Sequence, residues 1–381
     1  MTGPIVVVGG GLAAGRAVME LRDNGHEGEV VLFAGEPEVP YERPPLSKGY
    51  LQGEDSREST YVQPKEWYAE HTVDLRLGEP AESIDLEAQE VLSSSGATHF
   101  GRLLIVTGAR PRTLDLASTD SIEVRYLRTL GDSTALKERL GPDHHLLILG
   151  GGWIGMEVAA SARTLGATVT VVEPAELPML AALGAEVAAR FADVHRAHGV
   201  DLRLSTGLDR LEGSAAVLSD GSRVEPHTVL VGIGAVPNDE LARTAGLSVD
   251  NGILVDEGLR SSHPAVFAAG DVANAHHPVL GTRIRVEHWQ NAISQGRAAA
   301  HALLGEPVSF EDLPYFFTDQ YDLGMEFFGH PAGANDVRLD PGESEEAFSC
   351  WWRRDGRLVA AMHVNQWDRS DELRARVASG S

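Results

Sequence analysis

Apolar residues in this chain fall into short unbroken runs, and several of those runs stop abruptly at glycines. Ile5–Val8 is continuous and is followed by Gly9, Gly10 and Gly11. Small and apolar residues then recur at helical spacing over Leu12–Asp23, and a second run covers Val30–Phe33. The same order returns about 140 residues later: Leu146–Leu149, three glycines, helical spacing over Trp153–Leu165, and the run Thr168–Val172. Runs without alternation are expected where both faces of a strand are covered, so the pattern predicts two parallel sheets, each opened by strand, turn, helix and strand. Three further short strands end near glycines. Leu103–Val106 leads to Thr107 and Gly108, Val229–Val231 to Gly232, Ile233 and Gly234, and Val266–Ala269 to Gly270 and Asp271.

After about residue 310 the pattern changes. Aromatic residues cluster at Tyr315, Phe316, Phe317, Tyr321, Phe327 and Phe328, and antiparallel-type alternation runs through Phe348–Trp352 and Leu358–Val364. The polar stretch Asp336–Glu346 is expected to be an exposed loop. The predicted fold class is α/β, with two Rossmann-like dinucleotide-binding domains and a C-terminal α+β domain.

The two glycine turns carry chemistry. The first reads GxGxxA: Gly9 allows the tight turn, Gly11 lets backbone approach a pyrophosphate, and Ala14 lets the helix pack on the strand, with Leu12 and Ala13 opening that helix. A helix N-terminus offers free N–H groups and a positive dipole end to phosphates. Glu36, just past the second strand, suits the hydroxyls of an adenosine ribose. The second turn is a full GxGxxG of Gly150, Gly152 and Gly155, with Trp153 and Ile154 between. Glu173 stands 23 residues after Gly150. A carboxylate there favours a free 2′-hydroxyl over a 2′-phosphate, so NADH is expected over NADPH.

Composition limits the alternatives. With 381 residues, two or three domains are expected. The net charge of −24 argues against a nucleic-acid partner, and no apolar run approaches the roughly 18 residues of a membrane span. The short apolar start lacks a basic leader, so a cytoplasmic protein is expected. One cysteine, Cys350, excludes an intramolecular disulfide and a CxxC centre. His195 with His198, and the pairs His144–His145 and His276–His277, are expected to be solvated or capping residues, with no metal site.

Several segments together resemble the FAD-dependent ferredoxin reductases that serve oxygenases and cytochromes P450, the putidaredoxin and rubredoxin reductase type. They are Pro40–Lys48 (PYERPPLSK), Thr107–Arg112 (TGARPR), Ala268–Ala273 (AAGDVA), Val286–Ala292 (VEHWQNA) and Tyr315–Gln320 (YFFTDQ). The resemblance implies a glutathione-reductase-like arrangement: a split FAD domain (residues 1–112 and 246–310), an inserted NAD domain (113–245) and a C-terminal domain (311–381). It places Lys48 beside the flavin, where a cation stabilises the reduced ring, with Glu157 as its partner. Asp271 is expected on the ribityl chain, and Arg43 and Arg112 on the FAD phosphates or ring edge. Glu287, His288 and Trp289 pass by the isoalloxazine. The lysine choice has independent support, since only Lys48, Lys65 and Lys137 break an otherwise all-arginine usage.

The implied function is NADH:ferredoxin reduction, with electrons leaving FAD one at a time for a [2Fe–2S] ferredoxin. The chain itself is expected to be a monomer or homodimer. The arginines Arg353, Arg354, Arg357 and those of 369–376 are the candidate docking cations on an acidic protein. Two other functions stay open: an NADH oxidase or quinone reductase, and a redox-sensing flavoprotein resembling apoptosis-inducing factor.

Overall fold

In the computed structural model, which describes residues 3–116, 118–344 and 346–381, both glycine-interrupted repeats form parallel sheets. The first sheet runs in the order Val266–Ala268, Arg102–Ile105, Ile5–Val8, Val30–Ala34, Val73–Leu77, with every neighbour parallel. The second runs Asp201–Leu204, Thr168–Glu173, His145–Leu149, Thr228–Val231, Glu123–Arg125, again parallel throughout. The central strands Ile5–Val8 and Leu146–Leu149 are buried along their length, which is why they read as unbroken apolar runs. Helices Leu12–Asp23 and Trp153–Thr164 follow the glycine turns.

The chain divides into two units. One comprises residues 1–42, 58–110 and 236–316, and the other residues 43–57, 111–235 and 317–381. The first holds the sheet of Ile5 and a core that includes Val7, Leu32, Phe33, Leu104 and Phe267. The second holds the sheet of Leu147 and a five-stranded antiparallel sheet in the order Tyr315–Gln320, Leu323–Gly329, Arg357–Val364, Phe348–Arg354, Asp336–Pro341. Helix Ser370–Ser379 packs on that sheet through Leu373 and Val377.

One sequence expectation is corrected. The polar stretch 336–346, of which Glu345 lies outside the described residues, is not simply a loop: Asp336–Pro341 is a strand paired with Phe348–Arg354. It is the outermost strand of its sheet, so polar and charged side chains on its open side hide the strand signal, and Pro341 ends it.

In the first unit, helix Leu12–Asp23 crosses helix Trp289–Leu304 at close range. A Cβ on Gly296 would lie 2.6 Å from the carbonyl oxygen of Ala13, so only glycine allows the approach. Gly296→Leu is therefore expected to lower the stability of this unit by about 1–3 kcal/mol, read as an earlier urea midpoint. An unchanged midpoint would mean the two helices separate without cost.

Candidate functional site

Each unit carries one glycine cradle. In the first, Gly9 has φ +123°, and a Cβ there would sit 2.2 Å from the Val106 carbonyl oxygen. Gly11 stands at the N-cap of helix Leu12–Asp23 with no side-chain cap, and nothing lies within 4 Å of where its Cβ would be. Leu12, Ala13 and Ala14 are buried beneath that turn. The second cradle repeats the design: Gly150 is wedged against the carbonyl of Gly232, and the space beyond Gly152 is open. It is tighter at the sixth position. A Cβ on Gly155 would meet the Gly150 carbonyl oxygen at 2.1 Å, so the alanine tolerated at Ala14 is excluded here.

Open space before an uncapped helix end is what an approaching phosphate requires, and both cradles fit the pyrophosphate of a dinucleotide. Trp153 and Ile154 begin the second helix, and Ile154 is exposed. The acidic residues lie where the spacing predicts. Glu36, beyond strand Val30–Ala34, accepts a 2.6 Å hydrogen bond from Tyr41 Oη. Glu173 ends strand Thr168–Glu173; its carboxylate accepts from the Gly151 N–H at 2.7 Å and from the Ala175 N–H at 2.9 Å. These bonds aim the Glu173 carboxylate at the turn.

The remaining FAD-assigned positions of the first unit gather on its later loops. Thr107 Oγ1 donates to the Asn238 carbonyl at 2.7 Å, and Asn238 Nδ2 donates back to the Thr107 carbonyl at 2.9 Å, beside Gly108. The buried Gln295 side chain accepts from the Gly270 N–H at 2.8 Å, and Asp271 follows in a single 3-10 turn. Sequence reading missed both Asn238 and Gln295, which act through backbone of the recognised glycine turns and form no motif of their own. Glu287 pairs with Arg285 at 2.5 Å, and Arg285 also donates to the Asp271 carbonyl. His288 stands at the N-cap position of the helix begun by Trp289 without capping it; its Nδ1 is buried without a partner, and burial lowers its pKa to about 4. A polar atom left unsatisfied beside the flavin-assigned loop is another feature consistent with a ligand there.

In the second unit, Arg43 donates to the Arg128 carbonyl, Arg112 is exposed with its N–H on the Gly234 carbonyl, and the Gly232 N–H bonds the Leu149 carbonyl before Ile233. The Lys48 and Glu157 pairing is direct, with Nζ 2.7 Å from Oε2. Glu157 is 4% exposed and also accepts from Ser47 Oγ at 2.5 Å and Thr318 Oγ1 at 2.6 Å. Three donors thus converge on one buried carboxylate and fix its orientation. Phe317 lies 5.5 Å from Lys48 Nζ, and burial holds the neighbouring Asp319 above the usual carboxylate range against the pull of Lys48.

Two histidine expectations separate. His198 is exposed, at the end of helix Ala185–Ala197, and is stacked on Tyr321. His195 is neither solvated nor capping. It is fully buried and its Nε2 lies 2.8 Å from Gln320 Oε1. The HxxH spacing gave no sign of this burial, because its partner comes from a strand 125 residues away. Cys350 is buried and free, with its thiol pushed up to about 12, so it is a core residue rather than a redox group.

Comparison with known proteins agrees with this geometry. Residues 3–296 match the pyridine nucleotide-disulphide oxidoreductase family, and residues 315–380 match the reductase C-terminal domain. The chain belongs to the pyridine nucleotide-disulphide oxidoreductase family. It is similar to rhodocoxin reductase of Rhodococcus erythropolis (38% identity, covering 95% of this chain and 86% of that one). It is equally similar to the ferredoxin–NAD(+) reductase component of the anthranilate 1,2-dioxygenase system of Burkholderia cepacia (38%, covering 99% and 95%). Among solved structures it superimposes on the reductase of the covalent putidaredoxin reductase–putidaredoxin complex with a TM-score of 0.95 at 34% identity, covering 100% of this chain and 94% of that one. Among the described residues, no helix is long and apolar enough to cross a membrane.

Burial of His195 has a consequence for acid stability. Its folded pKa is lowered to about 4 by desolvation, against an ordinary value of 6.5. Above pH 6.5 both folded and unfolded chains hold it neutral. As pH falls below 6.5 the unfolded chain takes up a proton that the folded chain refuses, and stability is lost until the folded pKa is reached. Between pH 7 and 5 this costs the second unit about 2 kcal/mol. Denaturant unfolding at the two pH values should show that loss, and His195→Gln should lose less over the same interval. Equal slopes for the two proteins would contradict it.

Proposed function

We propose that this chain is a FAD-dependent NADH:ferredoxin reductase, taking electrons from NADH and delivering them to a [2Fe–2S] ferredoxin of an oxygenase or cytochrome P450 system. The observation that carries the reading is the pairing of Lys48 with the buried Glu157, found in a chain with two dinucleotide cradles and no reactive thiol. Similarity to two reductases named for such electron-transfer systems supports the choice of acceptor.

The FAD domain is assigned to residues 1–112 and 246–310, the NAD domain to 113–245 and the C-terminal domain to 311–381. Bound FAD would supply two-electron chemistry toward NADH and one-electron chemistry toward the acceptor. The protein's part is positioning and charge. Gly9, Gly11 and Ala14 cradle the FAD pyrophosphate, Glu36 takes its ribose, and Thr107, Gly108, Gly270 and Asp271 hold the rest of the cofactor. Gly150, Gly152 and Gly155 cradle NADH, and Glu173 takes its adenosine ribose. Lys48 holds a positive charge at Nζ for the reducible edge of the flavin, and Glu157 fixes that ammonium in place. Without a redox thiol, the chain has no group to pass electrons to a disulfide.

The docking cations are narrower than the arginine count suggests. Arg369 and Arg376 are paired with Glu372 and lie against Trp351, whereas Arg354 and Arg357 flank the exposed turn Asp355–Gly356. That turn is the candidate contact with an acidic ferredoxin.

Glu173 should make the enzyme prefer NADH; Glu173→Ala should erode the preference at least several-fold in kcat/KM, and equal use of NADH and NADPH by the unaltered enzyme would contradict the assignment. Cytochrome c reduction should depend on added ferredoxin and fall as salt rises, because exposed charges more than about 8 Å apart are screened at physiological ionic strength. Arg354→Glu should raise the KM for ferredoxin while leaving flavin reduction by NADH unchanged. Rates indifferent to ferredoxin, with rapid oxygen or quinone reduction, would overturn the proposed acceptor.

A further inference from the structure

Glu157 terminates a line of buried hydrogen bonds that runs away from Lys48 into the C-terminal sheet and helix Ala185–Ala197. Thr318 Oγ1 is 2.6 Å from Glu157 Oε1, Gln320 Nε2 is 3.1 Å from Thr318 Oγ1, and His195 Nε2 is 2.8 Å from Gln320 Oε1. Tyr321 Oη reaches His195 Nδ1 at 3.5 Å, and its ring is stacked on His198 with centroids 3.6 Å apart. Thr318, Gln320 and His195 are each no more than 1% exposed, so water does not substitute for any link.

The polarity of the line follows from its end. Glu157 is ion-paired with Lys48 and is an acceptor only, so Thr318 must give its single proton to Oε1. The Thr318 oxygen then accepts, which requires Gln320 to present its NH2 there and its carbonyl to His195. His195 must therefore carry its proton on Nε2 and leave Nδ1 as an acceptor facing Tyr321. Every link donates toward the carboxylate. Turning the Gln320 amide over would set two acceptors against each other at Thr318 and Glu157.

We propose that Thr318, Gln320 and His195 are positioning residues for the reaction: they form a one-way donor line that holds the Glu157 carboxylate in one orientation, aimed at Lys48. The proposal rests on the reading of Lys48 and Glu157 as the charge pair at the flavin. It makes the C-terminal strand Tyr315–Gln320 part of the machinery that sets that charge. The helix supplies the anchor, because a neutral imidazole with a fixed tautomer holds the Gln320 amide in one orientation. Other titratable or charged groups face the same region: Asp319 on the same strand, Glu326 on the next, His198 at the C-terminal end of the helix that carries His195, and Arg163 toward Tyr321. Among the described residues, none of these four hydrogen-bonds Glu157.

The test uses the FAD-loaded enzyme without any ferredoxin. In single-turnover flavin reduction by NADH, Thr318→Val should lower the limiting rate about tenfold and leave the NADH concentration at half-saturation unchanged, because Glu157 loses the hydrogen bond that aims it at Lys48. Thr318→Ser should restore that rate, and Gln320→Met should lower it in the same way. A Thr318→Val limiting rate equal to that of the unaltered enzyme would overturn the proposal. A second measurement needs no variant at the line's end. In ¹⁵N-histidine spectra of the unaltered protein, the resonance lost in His195→Gln should report a neutral ring protonated at Nε2 from pH 6 to 8. An Nδ1-protonated or charged ring would overturn the proposal even if Thr318→Val failed to fold. Both readouts are independent of the acceptor. A lowered limiting rate in an enzyme that reduces no ferredoxin would sink the proposed acceptor and leave the line standing. Ferredoxin reduction with an unchanged limiting rate would do the reverse.

Discussion

A carboxylate that is 4% exposed needs its charge compensated, and in the second unit the compensation of Glu157 organises three separate stretches of chain. Lys48 and Ser47 come from the loop of residues 43–57, Glu157 from the helix of the second glycine turn, and Thr318 from the C-terminal sheet. Removing one partner from a buried ion pair leaves an uncompensated charge and typically costs 3–5 kcal/mol. The same tie that makes the pair costly to break makes it useful, because a cation held by a buried carboxylate cannot swing away when a negative charge develops nearby. The loop is secured independently of the ion pair. Ser161 Oγ donates to the Ser47 carbonyl, Ser133 Oγ to the Leu46 carbonyl, and Gln52 Nε2 to Ser161 Oγ.

The cradles were legible in the sequence because their requirements are local. A turn in which a Cβ would overlap a carbonyl oxygen at 2.2 Å, as at Gly9, accepts glycine alone, and that constraint is written at fixed spacing from the strand before it and the acid after it. The difference between Ala14 and Gly155 is of the same kind. The parallel strands were legible for a related reason, since burial on both faces leaves no polar alternation.

What was not legible depends on distance along the chain. Thr318 and Gln320 sit in a segment recognised only as the opening of the C-terminal domain, and nothing in their spacing points to a glutamate more than 150 residues earlier. His195 shows the limit most clearly: its HxxH spacing suggested a surface or capping role, while burial and the Gln320 amide give it another. The strand Asp336–Pro341 escaped because an edge strand of charged residues has the composition of a loop. In each case the missing information was the partner, which only the folded chain supplies.

The central claim is that Lys48 and Glu157 act as one unit in flavin reduction. A double-mutant cycle tests it most directly: the rate of flavin reduction by NADH is measured in stopped flow for the unaltered enzyme, Lys48→Met, Glu157→Gln and the double variant, each with FAD bound. The account predicts strong non-additivity, with the double variant about as slow as Lys48→Met alone. Rate losses that simply multiply would show two independent residues and would contradict it.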